Sequence, residues 1–535
     1  MKRHDESFLD YKKRVIDPVS ASFCSAKWYN ATIWLGHGQT TSCHHPPAHN
    51  IDVAELEANP SAIHNTKHKK LMRKYMQEGI RPEECEYCWK VEDIEGHSTI
   101  SDRVYKTDLH SDAEILKASK APWEEDTLLK TLEISFERTC NFACSYCNPA
   151  FSTTWVNDIK KSGPYRNILS DGRGHFTDIA PWAASPKDED ENPYIKAFWR
   201  WWESDLADNL EEIRITGGEP LMAASVWKMF DWFKNNQKRA RSMRFAMNTN
   251  LVPKQELLEK LIDASHHIPH FTVYTSNESI GKHSEYIRDG MIYDEWKDNI
   301  ERLITEGNLK ALNMMMTINS LCLASITEFM DDMFEIKRKH GADYPIMSLN
   351  LLRFPSFQSP AILPTHMKDM YRDKLRVWLA NKLEQNEKDV TGKKLLLEIE
   401  QAQIERLIDY LGNVDTPHRN TAEKELLYND FKNFYLQYDV RRGKDFRATF
   451  PKEFVDFIDS IDVPVPTREE ITANKYRREL NVITPSRGNP MTAEEYKQST
   501  GYIPPSGPNP ATTEEYDTKV SRGWDTTNDT LGKNV

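Results

Sequence analysis

The chain has 535 residues, 39% hydrophobic and 28% charged, which is the composition of a soluble, core-forming protein with room for two or three domains. No run approaches the ~20 consecutive apolar residues of a membrane span, and the start, Met1-Lys2-Arg3-His4-Asp5-Glu6-Ser7, lacks the apolar region of a secretory signal. A net charge of -12 argues against a general affinity for nucleic acid. Seven of the 8 cysteines precede residue 148, a clustering that suits metal binding in a reducing, cytoplasmic setting better than disulfides.

Residues 1-100 form a cysteine-rich module. Trp28 to Leu35 and Gln39 to Cys43, joined by Gly36-His37-Gly38, predict a β-hairpin with Cys24 and Cys43 near its outer ends. Thr66 to Glu78 reads as a helix stopped by Gly79, with Lys67-His68-Lys69-Lys70 as its solvated side. The pair Cys85-Glu86-Tyr87-Cys88 closes the group. Four such thiols can surround a zinc ion or a 4Fe-4S cluster, and the spacing does not choose between them. His44, His45 and His49 read as loop residues.

Residues 125-365 alternate short apolar strands with amphipathic helices. The strands are Leu132 to Phe136, Glu212 to Thr216, Met243 to Asn248, Phe271 to Ser276, Leu312 to Ile318 and Met347 to Leu352. This α/β pattern predicts a partial parallel (β/α)6 barrel with its active site on the loops that leave the carboxyl ends of the strands. An insertion, residues 162-210, carries Phe198-Trp199-Arg200-Trp201-Trp202. These aromatics point in too many helical directions for one core, so some are expected to plug the barrel side or meet the cysteine-rich module. Cys322 reads as a small buried residue.

Residues 366-480 predict a C-terminal helical region, including Lys368 to Leu411 and the polar group Tyr438-Asp439-Val440-Arg441-Arg442. Residues 481-535 are poor in apolar side chains and predict a disordered tail. In it the segment Pro485 to Tyr496 recurs as Pro505 to Tyr516, a period of 20 residues. Two copies are too few to stack, which suggests a spacer.

The chemistry concentrates at strand ends. Cys140-Asn141-Phe142-Ala143-Cys144-Ser145-Tyr146-Cys147 follows the first core strand. Thiolates at i, i+4 and i+7 can hold three corners of a four-iron cube and leave the fourth iron open, whereas a structural zinc site wants four closed ligands. Thr216-Gly217-Gly218-Glu219-Pro220 ends the second strand, where glycines permit close backbone approach and Glu219 can accept from an ammonium. Asn248-Thr249-Asn250 and Ser276-Asn277-Glu278 offer short polar groups suited to ribose hydroxyls, and Arg288 offers a fork for a carboxylate.

Together these motifs resemble the radical S-adenosylmethionine (SAM) enzymes. The resemblance implies that Cys140, Cys144 and Cys147 bind a 4Fe-4S cluster whose open iron chelates SAM. It further implies Tyr146 near the adenine, Gly217, Gly218, Glu219 and Pro220 at the SAM amino group, Asn248, Asn250 and Ser276 at the ribose, and Arg288 at the SAM carboxylate. Leu251, Glu278 and Ser279 depart from the family pattern, which has Gly, Asp and Gly there. Phe23-Cys24, Trp28, the glycine turn, Cys43 and the Cys85/Cys88 pair followed by Trp89 resemble the twitch module, a shortened SPASM domain, here placed before the core. That likeness implies an auxiliary 4Fe-4S cluster on Cys24, Cys43, Cys85 and Cys88, with zinc as the alternative. The expected activity is reductive cleavage of SAM to a 5′-deoxyadenosyl radical that abstracts hydrogen from a substrate, with a peptide or protein as the implied substrate class and a flavodoxin- or ferredoxin-like electron donor. No further catalytic residue can be named from the sequence. The alternative is a non-catalytic iron-sulfur or zinc-binding scaffold or electron-transfer protein.

Overall fold

The computed structural model describes residues 2–93, 100–169, 176, 192–413 and 421–472, with side chains from residue 424 in the last stretch. The expected tail and its repeat, and much of the 162-210 insertion, lie outside the described residues. The strands are β1 (Asn30–Trp34), β2 (Gln39–Thr41), β3 (His49–Asn50), β4 (Thr131–Ser135), β5 (Ala143–Cys144), β6 (Glu212–Thr216), β7 (Arg244–Thr249), β8 (Phe271–Ser276), β9 (Arg288–Asp289), β10 (Ala311–Ile318) and β11 (Ile346–Leu351).

Among the described residues nine of these form one sheet in the order β11-β10-β8-β7-β6-β4-β1-β2-β3. The six core strands are parallel, and each lies beside its successor in the chain. Such neighbours arise when every strand returns through a helix on one side of the sheet. Alternation then sorts the side chains. Leu132, Ile134, Ile213, Ile215, Phe245, Met247, Val273, Leu312, Met314 and Met347 are buried under the helices. The opposite row, Glu133, Arg214, Thr272, Tyr274, Asn313 and Ser348, is only partly buried.

The covering helices follow the same logic. Tyr293–Glu306 presents Trp296, Ile300 and Leu303 at i, i+4 and i+7, all fully buried, each contributing about 1.5–3 kcal/mol. Helices 365–385 and 398–413 replace the continuous helical stretch expected from Lys368 to Leu411, because Asn386 turns the chain in the left-handed region (φ 46°).

The hairpin forms where expected, but it is not self-contained. Residues 26–29 make a helical turn, and β1 then pairs in parallel with β4, from Asn30↔Thr131 to Trp34↔Ser135, so it extends the core sheet. Local sequence encodes a hairpin; it does not encode which distant strand takes the hairpin's outer edge.

Two further expectations are corrected. The run Lys67-His68-Lys69-Lys70 is a solvated face only in part: Lys67 is exposed, but the rest turns toward the protein. Helix 67–77 lies against the hairpin, so Lys69 is fully buried and donates to Thr40 Oγ1 at 2.7 Å, while His68 pairs with Glu84. Part of the aromatic run meets the N-terminal part, as expected, but the whole run shares one core: Phe198, Trp199, Trp201 and Trp202 are all buried. Its helix, 193–201, is covered on both sides, with Phe198 edge-on to Phe136 of the sheet layer and Trp201 stacked parallel to His64 of the N-terminal part. A helix enclosed in this way can bury every angle.

Candidate functional site

The three-thiol loop is anchored at each cysteine by a different element. Cys140 leaves β4 over the Gly217-Gly218 turn that ends β6. Gly217 has φ +142°, and a Cβ there would lie 2.7 Å from the Glu137 carbonyl; one on Gly218 would collide with the Thr139 and Arg138 carbonyl oxygens. Glu219 N–H donates to Thr139 O at 2.7 Å, fastening the two loops. Past Cys140, the start of helix 153–162 takes over. Thr154 Oγ1 donates to Cys140 O at 2.6 Å, and Cys140 N–H donates to Thr153 Oγ1 at 3.2 Å. Cys144 is held by β5 against β9, directly opposite Arg288, and Cys147 closes a turn onto Cys144 O at 2.9 Å. A Gly218→Ala substitution is therefore expected to displace the Cys140 loop at a cost of about 1–3 kcal/mol, read as a lowered denaturation midpoint together with poorer retention of reconstituted iron.

Burial pushes the Cys144 thiol up to about 11 and Cys147 up to about 12, and Cys144 adds to the shift of Cys147. Cys140 is raised by burial first, and then by the charge of both other cysteines. The three sulfurs thus share one environment in which thiolates need a cation.

Glu219 is 1% exposed. Its carboxylate accepts from Thr249 Oγ1 (2.7 Å), Asn250 N–H (2.7 Å) and Leu221 N–H (3.1 Å), tying the β6 turn to the β7 turn. Burial outweighs these bonds and lifts its pKa from 4.5 to about 7. Between those values the folded chain holds a proton that the unfolded chain has lost. Stability from this group is therefore complete below pH 4.5 and falls as pH rises through about 7, by up to about 3 kcal/mol. Glu219→Gln is expected to flatten that slope in denaturant titrations of the metal-free chain from pH 5 to pH 8.

Arg288, expected at the SAM carboxylate, is engaged by Glu278. Its guanidinium donates to Glu278 Oε2 through Nη2 (2.7 Å) and Nε (3.1 Å), and the pair is 5% and 1% exposed. Burial opposes the Arg288 charge, but Glu278, Tyr146 and Cys144 outweigh it. Tyr146 OH donates to Glu278 Oε1 at 3.1 Å, and the Arg288 guanidinium lies 5.4 Å from the Tyr146 ring. Glu278, which the sequence marked only as a departure, is thus the hub that links Tyr146 of the cysteine loop to β9.

Of the other expected residues, Asn250 donates to Asn141 Oδ1 at 2.7 Å, joining the β7 turn to the cysteine loop. Pro220 opens a buried helical turn after Glu219. Ser276 is partly buried at the end of β8. Asn248 Oδ1 at the end of β7, Asn277 Nδ2 and Ser279 Oγ after β8, and Ser320 Oγ after β10 are buried without a hydrogen-bond partner. Each orphan costs about 1–3 kcal/mol. Several at successive strand ends fit a polar ligand such as a nucleoside.

Sequence reasoning missed the support supplied by the C-terminal helix, 421–442. Tyr438 OH donates to Ala143 O at 3.1 Å, Arg441 Nη1 to Gly163 O at 2.7 Å, and Arg442 approaches Asp289 at 3.5 Å. The first and last of these clamp β5 and β9 from 295 and 153 residues away in the chain, distances across which spacing gives no signal.

The second cysteine group converges as well. Cys24, Cys43 and the Cys85/Cys88 pair, from three separate segments, line one cavity. Burial raises Cys43 and Cys85, and lifts Cys88 to about 12. Lys27, 2% exposed, lines the same cavity and pairs with the buried Glu84 beside Cys85. Among the described residues His44, His45 and Asp102 have donor atoms mutually within 4.8 Å; no three cysteine sulfurs do.

No family model matches the sequence, and no curated protein matches it. Solved structures with a related arrangement include native anSMEcpe with bound AdoMet, at 13% identity over 48% of this chain and 63% of that one, TM-score 0.29. Streptococcus suis SuiB bound to precursor peptide SuiA overlaps at 13% identity over 67% and 70%, TM-score 0.31. SuiB bound to S-adenosylmethionine overlaps at 13% over 66% and 70%, TM-score 0.28. The chain spans less than two thirds of the first of these. At such identity and superposition the likeness by itself assigns neither family nor function.

Proposed function

We propose that the protein is a radical SAM enzyme built on a partial (β/α)6 barrel, with a 4Fe-4S cluster on Cys140, Cys144 and Cys147. The observation that carries the reading is the three-thiol loop itself: it leaves the carboxyl end of β4 and is locked onto Gly217-Gly218 of the next parallel strand, beside unpartnered polar atoms at the following strand ends. A loop that served only structure has no need of three partly buried thiols spaced i, i+4 and i+7. Held by Cys140, Cys144 and Cys147, such a cluster would supply the one-electron reduction that breaks the SAM carbon–sulfur bond to give methionine and a hydrogen-abstracting 5′-deoxyadenosyl radical.

The chain's own work is to bind, orient and exclude water. Asn248, Asn277 and Ser279 have free polar atoms for a ribose. Asn250 and Gly217 to Pro220 surround the position for the amino group. Arg288 acts by charge on Cys144, opposite it across the β5–β9 pair, and Glu278 fixes Arg288 and Tyr146 there. The cluster would sit in a fold opened to a peptide or protein substrate, served in the cytoplasm by a flavodoxin- or ferredoxin-like donor. Anaerobic reconstitution followed by dithionite and SAM is expected to yield 5′-deoxyadenosine; a filled cluster with no product would favour an electron-carrying scaffold.

For Cys24, Cys43, Cys85 and Cys88 the reading is an auxiliary 4Fe-4S cluster. What supports a shared metal centre there is that the four thiols line one cavity. The triple Cys140/Cys144/Cys147→Ala variant is expected to retain about four irons per chain. Zinc in their place would overturn this assignment.

A further inference from the structure

The partly buried face of the sheet carries two opposite charges that form no ion pair among the described residues. Glu133 on β4 and Arg214 on β6 are register neighbours, about 4.8 Å apart across the strands. Side chains so placed normally close into an ion pair. Here they do not: among the described residues Glu133 has no hydrogen bond or ion pair, and Arg214 has none either. The Arg214 guanidinium instead lies 4.3 Å from the centre of the Tyr274 ring, on β8.

The neighbours explain the geometry. Arg214 is in register with Ala246 of β7, which in turn is in register with Thr272 of β8, two residues before Tyr274. Ala246 is the small residue over which the Arg214 side chain can cross, and the Tyr274 face is the cation-binding surface on the far side. The guanidinium is drawn away from β4 and stays unpaired by any carboxylate, while Glu133 is left behind. The two charges are then on the order of 10 Å apart, about two strand spacings. Both lie one pleat below the row of Ser135 and Thr216, next to the turns that hold the cysteine loop, and the orphaned Asn248 Oδ1 stands one strand from Arg214 and in register with Tyr274.

We propose that this face binds a peptide segment carrying an acidic and a basic side chain, the acid held by Arg214 against Tyr274 and the base held by Glu133. The spacing disfavours a single α-amino acid group, whose ammonium and carboxylate are too close together to reach both sites, and so separates this pair from the amino-acid end of SAM. The inference rests on the peptide-substrate reading above and names the residues that select within that class. A partly desolvated face strengthens each contact, because neither charge has a competing partner among the described residues.

The test uses the full chain, reconstituted and with SAM present, and three dipeptides with acetylated and amidated ends: Lys-Glu, Lys-Gln and Gln-Glu. Calorimetry or saturation-transfer NMR is expected to show Lys-Glu bound about tenfold more tightly than either singly charged probe. Glu133→Gln should erase its advantage over Gln-Glu, and Arg214→Gln its advantage over Lys-Gln. Equal binding of the three probes, or binding of none, overturns the proposal. So does a loss of SAM affinity in both variants with the peptide preference intact, which would assign the charges to the SAM cradle. Failure of the enzyme reading itself would show separately, as absence of 5′-deoxyadenosine from the unmodified chain.

Discussion

Cys144→Ala is expected to abolish 5′-deoxyadenosine formation, a fall of at least about a thousandfold, as when a group on which the chemistry depends is removed. Cys144 is the most informative of the three thiols because truncating it leaves its backbone in place. Its strand is held by pairing with β9, Ser145 N–H donates to Ile287 O at 2.7 Å, and Trp155 Nε1 donates to Cys144 O at 3.0 Å. None of these uses the sulfur. The variant should therefore fold with an unchanged circular dichroism spectrum while losing the iron of the first site, and the auxiliary iron should remain. Product at the level of the unmodified chain from a variant lacking that thiol would mean that the loop does not carry the reaction.

Arg288→Met should be the most destabilising single change at the site. It leaves the Glu278 carboxylate fully buried with only Tyr146 OH and the Asn319 amide as donors. Removing one partner of a buried pair costs about 3–5 kcal/mol, chiefly because the surviving charge has lost its compensation. Urea titration of the metal-free protein should show this as a lower midpoint at unchanged slope. Adding Glu278→Gln removes the stranded charge, and the double variant is expected to recover most of the loss. A double variant no more stable than Arg288→Met would mean that the guanidinium acts by packing.

How far the site was legible depended on the range of the interactions involved. The six core strands were readable from apolar alternation, because each strand's period is set by its own residues. Gly217 and Gly218 were readable as a place of close approach, since only glycine removes a Cβ; that the approaching group is the carbonyl ladder of residues 137–139 was not. The buried role of Lys69 was hidden for a related reason. A lysine run looks solvated until the hairpin that covers it is known.

By itself, then, the sequence determined the thiol spacings, the strand period, the hairpin and the turn glycines, all consequences of covalent geometry and near neighbours. Tertiary structure alone decided that β1 extends the core sheet, that Glu278 takes Arg288, that Tyr438 clamps the cysteine strand, and that Glu133 and Arg214, neighbours in register, form no ion pair with each other. Each of these joins side chains or strands whose pairing depends on which surfaces remain open once the sheet has formed. Burial then sets the strength of every charge among them, and burial is a property of the packed whole.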